Sequence, residues 1–290
     1  MTAWRARNGW RRTLLGAFVE GELVGFASCA TADDTPDTAW VDVTVLPDRQ
    51  GTGYGSALAG AAEAAAVPGV TRFVSSVFRP APEDIERLVR AFAAPLGYAV
   101  ATTETVVELD LERAVLVPDA PHDGYSVETY VNGVPEGLRP EVGVLKGLVD
   151  AEAPNGALNW QPTPVSPEEY ADELETWQRQ GRTALESVAL DEGGAVVGWT
   201  CLLVPPDPAR PAQIEGTLVR SEHRGKRLGS AVKVANLLGA REFGARRVRT
   251  SSDDGNRWMR AINADLGFVP VESEALLQKQ RPSRRVSFDT

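Results

Sequence analysis

Gln50-Gly51-Thr52-Gly53-Tyr54-Gly55 and Arg224-Gly225-Lys226-Arg227-Leu228-Gly229 are two versions of one hexapeptide, 174 positions apart (224 − 50). Upstream, Val24-Gly25-Phe26 returns as Val197-Gly198-Trp199, and Trp4 returns as Trp177, both at a spacing of 173 (198 − 25, 177 − 4). Downstream, Leu96-Gly97-Tyr98 returns as Leu266-Gly267-Phe268, with glycines 170 apart (267 − 97). Four landmarks in one order at nearly one offset identify a duplicated domain. In each copy an apolar, strand-like run enters the hexapeptide and a helix-like run leaves it. The first N–H groups of a helix have no partner within it, so this junction is a place to hold an anion.

The second copy is the fuller one. Alternation predicts a strand over 125–131, and apolar spacing predicts helices over 136–153 and 167–180, the latter with Ser166 as N-cap and Pro167 at its first position. Strands are expected at 183–190, 195–204 and 213–219, then a helix from the hexapeptide to about Phe243. A strand at 247–252, a helix at 256–266 and two short strands at 269–271 and 274–279 complete it. The first copy repeats this plan with strands at 13–19, 23–29 and 39–45, a helix to Ala66, a strand at 72–78, a helix at 82–93 and a strand at 105–111. Aligning Trp4 with Trp177 puts Met1 near the end of the second helix of the repeat. The first copy is therefore expected to lack the first strand and both leading helices, either because the start lies further upstream or because they are missing. The linear division is 1–114, a linker at 115–124 containing Pro118 and Pro121, and 125–290.

The 290 residues suit two domains of about 100–150 residues each. A formal net charge of −10 works against nucleic acid as a partner. No apolar run approaches the roughly 20 residues of a membrane helix. The polar start Thr2-Ala3-Trp4-Arg5 is no signal peptide, so the bacterial cytoplasm is the expected setting, without a membrane partner. Cys29 and Cys201 hold similar places in the repeat and read as reduced core residues. With His122 and His223 isolated, they make no metal site. Arg284-Arg285-Val286-Ser287 matches a basophilic kinase pattern too short to carry weight.

Neither hexapeptide is a P-loop, because the Gly-Lys-Ser/Thr ending is missing, and neither has the third glycine of a dinucleotide fingerprint. Both resemble the acyl-CoA signature Gln/Arg-x-x-Gly-x-Gly/Ala of the GNAT superfamily, the Gcn5-related N-acetyltransferases. The first fits in full; in the second, Arg227 replaces the middle glycine. With the Leu-Gly-aromatic endings, the chain is similar to tandem GNAT proteins of actinobacterial type. The resemblance implies an α/β (α+β) fold of two tandem domains, each a mixed, mostly antiparallel sheet flanked by helices.

It also implies a donor, acetyl-CoA or another acyl-CoA, and a small-molecule primary amine as acceptor, in a monomer or homodimer. In the family the fourth strand bulges away from the fifth and pantetheine lies in the opening. Carried over, pantetheine follows Thr217, Leu218 and Val219, and the pyrophosphate meets the amides of Gly225, Lys226, Arg227, Leu228, Gly229 and Ser230, with Arg224 and Asn256 beside the cofactor. In the first copy the equivalents are Val43, Thr44 and Val45 with Gln50, Gly51, Thr52, Gly53, Tyr54, Gly55 and Ser56.

For chemistry, the resemblance implies that the backbone near Thr217 polarises the carbonyl, and Glu215 is the candidate to take the amine proton, since residues two apart share a strand face with Thr217 and Val219. The places matching Gln213 and Glu215 in the first copy are Ala39 and Val41, so chemistry is expected in the C-terminal copy. Many family members carry a proton-donating Tyr five residues before the closing aromatic; those places are Asn263 and Ala93 here. Acids Glu141, Asp150, Glu152 and Asp172 favour a cationic acceptor. The rival readings are a CoA-binding protein without turnover and an interaction module completed by another chain.

Overall fold

The computed structural model describes residues 10–32, 35–117 and 123–281; Trp4, His122 and the Arg284–Ser287 motif lie outside them. The first half forms β1 (Arg11–Val19), β2 (Glu22–Thr31), β3 (Thr38–Val45), α1 (Tyr54–Ala64), β4 (Arg72–Arg79), α2 (Pro82–Leu88) and β5 (Ala99–Asp110). The second forms β6 (Tyr125–Val131), α3 (Arg139–Glu152), α4 (Pro167–Arg179), β7 (Thr183–Asp191), β8 (Val196–Val204), β9 (Ala212–Val219), α5 (Leu228–Glu242), β10 (Arg247–Asp253), α6 (Arg257–Asp265) and β11 (Val269–Gln280). The two short strands expected at the C-terminus are one continuous strand. At the start of α4 a capping box closes, with Glu169 N–H donating to Ser166 Oγ and Ser166 N–H to Glu169 Oε2.

The compact units do not follow the expected division at 114 and 125. One unit, here C-terminal, is Glu104–Glu272; the other, here N-terminal, joins the described residues before Glu104 to the chain from Ser273. Each takes its last strand from the opposite half of the sequence. In the C-terminal unit the strand order is β5-β10-β9-β8-β7-β6, with β5 antiparallel to β10 from Asp110↔Arg247 to Glu104↔Asp253. In the N-terminal unit it is β1-β2-β3-β4-β11, with β11 antiparallel to β4 from Ser273↔Arg79 to Gln280↔Arg72. The β3–β4 and β9–β10 pairs are parallel.

β5 and β11 are themselves repeat equivalents, 170 positions apart (269 − 99). Their sequences explain the exchange. Leu109 and Leu111 are buried in a cluster with Leu185, Leu202 and Leu237 in the C-terminal unit. The equivalent positions are Lys279 of β11 and Arg281 just beyond it, which the N-terminal unit uses differently. Lys279 Nζ donates to both oxygens of Glu63 on α1, at 2.8 and 2.6 Å, and the Arg281 guanidinium lies over Phe73. Ala275 and Leu277 of β11 fill the core against Leu58, Ala62 and Phe73. Exchanging the strands back would place two cations among leucines, at a desolvation cost of several kcal/mol for each ion.

The C-terminal unit is covered on both faces. α3 and α4 pack on one through Val142, Leu145, Tyr170, Leu174 and Trp177, and α5 packs on the other through Leu228, Val232 and Leu237. In the N-terminal unit α1 and α2 cover one face. On the opposite face of β1 and β2, Leu14, Phe18 and Leu23 are exposed, and the described residues hold no counterpart of β6, α3 or α4.

Candidate active site

In its pairing with the preceding strand, β9 carries one residue more than its repeat equivalent β3. β2 and β3 pair without interruption from Gly25↔Val45 to Thr31↔Ala39. β8 and β9 pair from Gly198↔Val219 to Cys201↔Gly216, then shift, so that Leu202 meets Ile214 and Leu203 meets Gln213. Glu215 is the extra residue of a β-bulge. It accounts for the change in repeat spacing from 173 to 174, and it has no counterpart in the first copy. Register matches Gln213 to Trp40 and Gly216 to Asp42, in place of the expected Ala39 and Val41. Asp42 accepts a hydrogen bond from Ser28 Oγ at 3.1 Å. By the same register Cys201 corresponds to Ser28 and not to Cys29. The two buried thiols therefore face opposite sides of their sheets, and burial pushes both up.

The bulge also overturns the expected common face for Glu215, Thr217 and Val219. Before it, Ala212 and Ile214 pack with α5. After it, Leu218 joins the α3/α4 cluster, while Val219 packs with Leu228 and Val232 on the α5 side. A Cβ on Gly216 would meet Trp199 and Val149 of the α3 face, and the Glu215 carboxylate acts on Cys201 within that same cluster. Alternation resets, so Glu215 and Gly216 project toward α3 while Thr217 projects toward α5. There Thr217 Oγ1 lies 2.8 Å from Thr200 Oγ1.

Beyond the bulge the strands separate. β9 pairs with β10 only at Ala212↔Val248 and Gln213↔Arg249, and the N-terminal unit repeats this with β3 and β4 joined only from Thr38↔Arg72 to Trp40↔Val74. Each sheet thus opens toward its hexapeptide. The opening leaves a strand edge whose backbone groups suit an extended, amide-bearing ligand.

Both hexapeptides are built alike. Gln50 Nε2 donates to Val45 C=O at 3.1 Å, and Arg224 Nε donates to Val219 C=O at 3.0 Å. A side-chain donor at the first position therefore ties each loop to the end of its strand. Gly53 and Arg227 stand just before the helices with φ of 93° and 58°. The first bonds into the helices are Ala57 N–H to Gly53 C=O and Ala231 N–H to Arg227 C=O, both 3.0 Å. The N–H groups of Tyr54, Gly55 and Ser56, and of Leu228, Gly229 and Ser230, precede them and face the loop mouth.

The last glycine serves packing, since a Cβ on Gly55 would stand 3.0 Å from Phe92 and one on Gly229 3.4 Å from Ile262. Leu218 and Leu228 are core side chains, leaving only their backbone for a ligand. Asn256 caps α6, its Oδ1 accepting from Met259 N–H at 3.2 Å. The second loop is strapped down further: Arg224 pairs with Glu152, Lys226 donates to Tyr125 Oη, and Tyr125 Oη meets His223 Nδ1 at 3.0 Å.

Arg227 keeps the glycine conformation without being glycine. A left-handed backbone costs an L-residue about 1–2 kcal/mol, offset in part by the greater unfolded-state freedom of glycine. Arg227→Gly is expected to raise stability by about 0.5–1 kcal/mol in urea unfolding. A loss of stability would show that the guanidinium contacts outweigh the backbone strain.

On the α3/α4 face lies a buried ionic cluster. Lys146 pairs with Glu173, and its Nζ sits 5.0 Å from the Tyr170 ring centroid, 4.9 Å from Trp177 and 5.5 Å from Trp199. Glu186, fully buried, accepts from Tyr170 Oη and from Trp199 Nε1 at 3.0 Å. Burial works to lower the Lys146 pKa, but Glu173 and Glu186 outweigh it and hold the ammonium above its ordinary value. Of the acids expected around an acceptor, Glu141 instead accepts from Val196 N–H at 2.7 Å and Glu152 is held by Arg224. Asp150 acts on Glu104, supplied by β5, together with Asp253 and Asp254; burial, then these neighbours, push the Glu104 carboxyl up.

On the opposite face, α5 carries Lys233, fully buried, with Nζ 2.7 Å from Asn263 Oδ1 and 3.5 Å from Met259 Sδ. Asn263 Nδ2 donates onward to Ser252 Oγ at 3.1 Å. Burial alone lowers the Lys233 pKa to about 7. Helical and strand periodicity missed Lys146, Glu186 and Lys233. The available signal was a charged residue inside an otherwise apolar element, as in Leu185-Glu186-Ser187-Val188 and Val232-Lys233-Val234.

The model of the Acetyltransferase (GNAT) family matches residues 2–80 and 155–268. Among solved structures, the chain is similar to a tandem GNAT protein from the clavulanic acid biosynthesis pathway, at 28% identity, covering 96% of this chain and 86% of that one, with a TM-score of 0.77. A GCN5-related N-acetyltransferase from Sphaerobacter thermophilus shares the fold at 19% identity and a TM-score of 0.64, covering 91% of this chain and 79% of that one. One from Kribbella flavida does so at 14% and 0.57, covering 94% and 91%. Comparison with curated proteins gives no match. Matched over both halves, the chain belongs to the GNAT acetyltransferase family, as an N-acetyltransferase with two copies of the fold in tandem.

Proposed function

We propose that the protein transfers an acyl group from acetyl-CoA, or a related acyl-CoA, to a primary amine of a small molecule, with chemistry in the Glu104–Glu272 unit. The observation that carries this reading is the bulge at Glu215, present in β9 and absent from β3. It sets a carboxylate on the α3 face of the strand opening while the backbone at Thr217 lines the opening itself. The acyl-CoA lies along Thr217–Val219 with its pyrophosphate on the loop from Arg224 to Ser230. The amine approaches from the α3 face, Glu215 takes its proton, and the backbone near Thr217 polarises the thioester carbonyl. Glu104, Asp150, Asp253 and Asp254 favour a cationic acceptor. The N-terminal loop, Gln50–Ser56 with Val43–Val45, holds a second CoA without the bulge to support chemistry.

Glu215→Gln keeps shape and removes the base. Turnover with an amine panel, followed by CoA release, is expected to fall about 10²-fold with CoA affinity unchanged; unchanged turnover would sink the base assignment. A second reading, CoA binding without turnover, is favoured by Lys146, because the aromatic and acidic surroundings suited to an acceptor ammonium already hold the chain's own. Calorimetric CoA binding with no amine accepted from the panel would establish it.

A further inference from the structure

Lys233 is a buried amine for which the reaction as outlined has no use. It points into the layer between α5, α6 and β10, where its ammonium is held by a neutral amide oxygen and a thioether and lies 5.8 Å from the centroid of the Phe268 ring. No charged group from these elements acts on it, and burial is the sole influence. An ammonium kept in such a place without a counter-ion carries a desolvation cost that neutral contacts offset only in part, whereas an anion arriving next to it would be strongly stabilised.

The site is next to the opening. Val248, Thr250 and Ser252 alternate on the α5 face of β10, and Ser252 is the residue that Asn263 contacts. β9 and β10 part after Gln213↔Arg249, so the gap between them joins the α3 face, with Glu215, to the α5 face, with Lys233. A thioester lying in that gap takes the amine on the α3 face of its planar carbonyl, and the sulfur carried by the resulting tetrahedral carbon is free to turn toward the α5 side.

We propose that Lys233, oriented by Asn263, is the proton donor to the departing coenzyme A thiolate. This rests on the acyl-transfer reading above. The amine nitrogen bonds to the acyl carbon as the carbonyl π pair moves to oxygen; C=O then re-forms as the C–S bond breaks and its electron pair moves to sulfur. The Lys233 ammonium delivers a proton to that sulfur and is recharged, through solvent, by the proton that the amine loses to Glu215. A donor titrating near neutrality is well matched to a thiol, whose ordinary pKa is about 8.5.

The test titrates the thiol of coenzyme A bound to the full chain by its ultraviolet thiolate absorbance, in wild type, Lys233→Met and Asn263→Ser. In wild type one thiol transition lies low. Lys233→Met raises it by one pH unit or more and lowers kcat at pH 7 by about 10²-fold. Asn263→Ser, which keeps the ammonium but frees it, raises it part way and supplies the reading if Lys233→Met does not fold. If coenzyme A binds and no transition moves in any folded variant, the proposal is overturned while acyl transfer stands. If wild type binds no coenzyme A, both fall.

Discussion

Severed between Val117 and Asp123, neither half of this chain is expected to fold alone, and the two expressed together are expected to form a stable 1:1 complex. The first fragment loses β11 and with it Ala275, Leu277 and the Lys279 partner of Glu63. The second loses β5, with Val106 and Leu109, and Leu111 that follows it. Each large apolar side chain withdrawn forfeits about 1.5–3 kcal/mol, so a lost strand approaches the roughly 5–15 kcal/mol that a domain has in total.

An isolated half still owns the repeat equivalent of the strand it lost, but that strand does not fit. Folded back onto β10, β11 would bring Lys279 and Arg281 to the sites of Leu109 and Leu111. Folded back onto β4, β5 would set Leu109 against Glu63 and leave that carboxylate without its cation. Circular dichroism and urea unfolding of each fragment decide the matter. Two cooperative, independently folded fragments would show that the strands are interchangeable and that the side chains cited do not specify the exchange.

Lys146→Met is expected to cost about 3–5 kcal/mol, the loss that follows when one partner of a buried ion pair is removed. The lysine side chain is 7% exposed and Glu173 18%, so solvent offers the stranded carboxylate little relief. Glu186 loses the same cation while remaining tied to Tyr170 and Trp199. The double variant Lys146→Met/Glu173→Gln is expected to regain a large part of the loss, because an apolar and a neutral side chain replace the pair without leaving Glu173 charged. Urea midpoints of the two variants check this. Equal losses would mean that packing against the three rings, not charge pairing, is what Lys146 contributes.

The candidate site was legible to different depths. The hexapeptides could be located because their demands are local: a side-chain donor that reaches back five residues, a left-handed residue before the helix, and a small residue where a second helix packs. Arg227 broke the glycine pattern without breaking the conformation, since the surrounding structure holds its backbone in place. The face of Glu215 could not be read from alternation. A bulge is an event between two strands, and β9 alone does not show where the register slips. The change of spacing from 173 to 174 did record the inserted residue, but only pairing with β8 identifies it.

Spacing and local pattern established a duplicated chain and the order of its strands and helices, and resemblance to the GNAT signature marked its two loops, because helix caps, apolar periods and turn residues act over a few positions. The tertiary structure was needed for everything that depends on contacts distant along the chain. These are the exchange of β5 and β11, the side of the sheet on which each carboxylate stands, and the burial of Lys146 and Lys233. A lysine in an apolar helix and a strand that leaves its own copy are set by which surfaces meet, and that is a property of packing, not of local sequence.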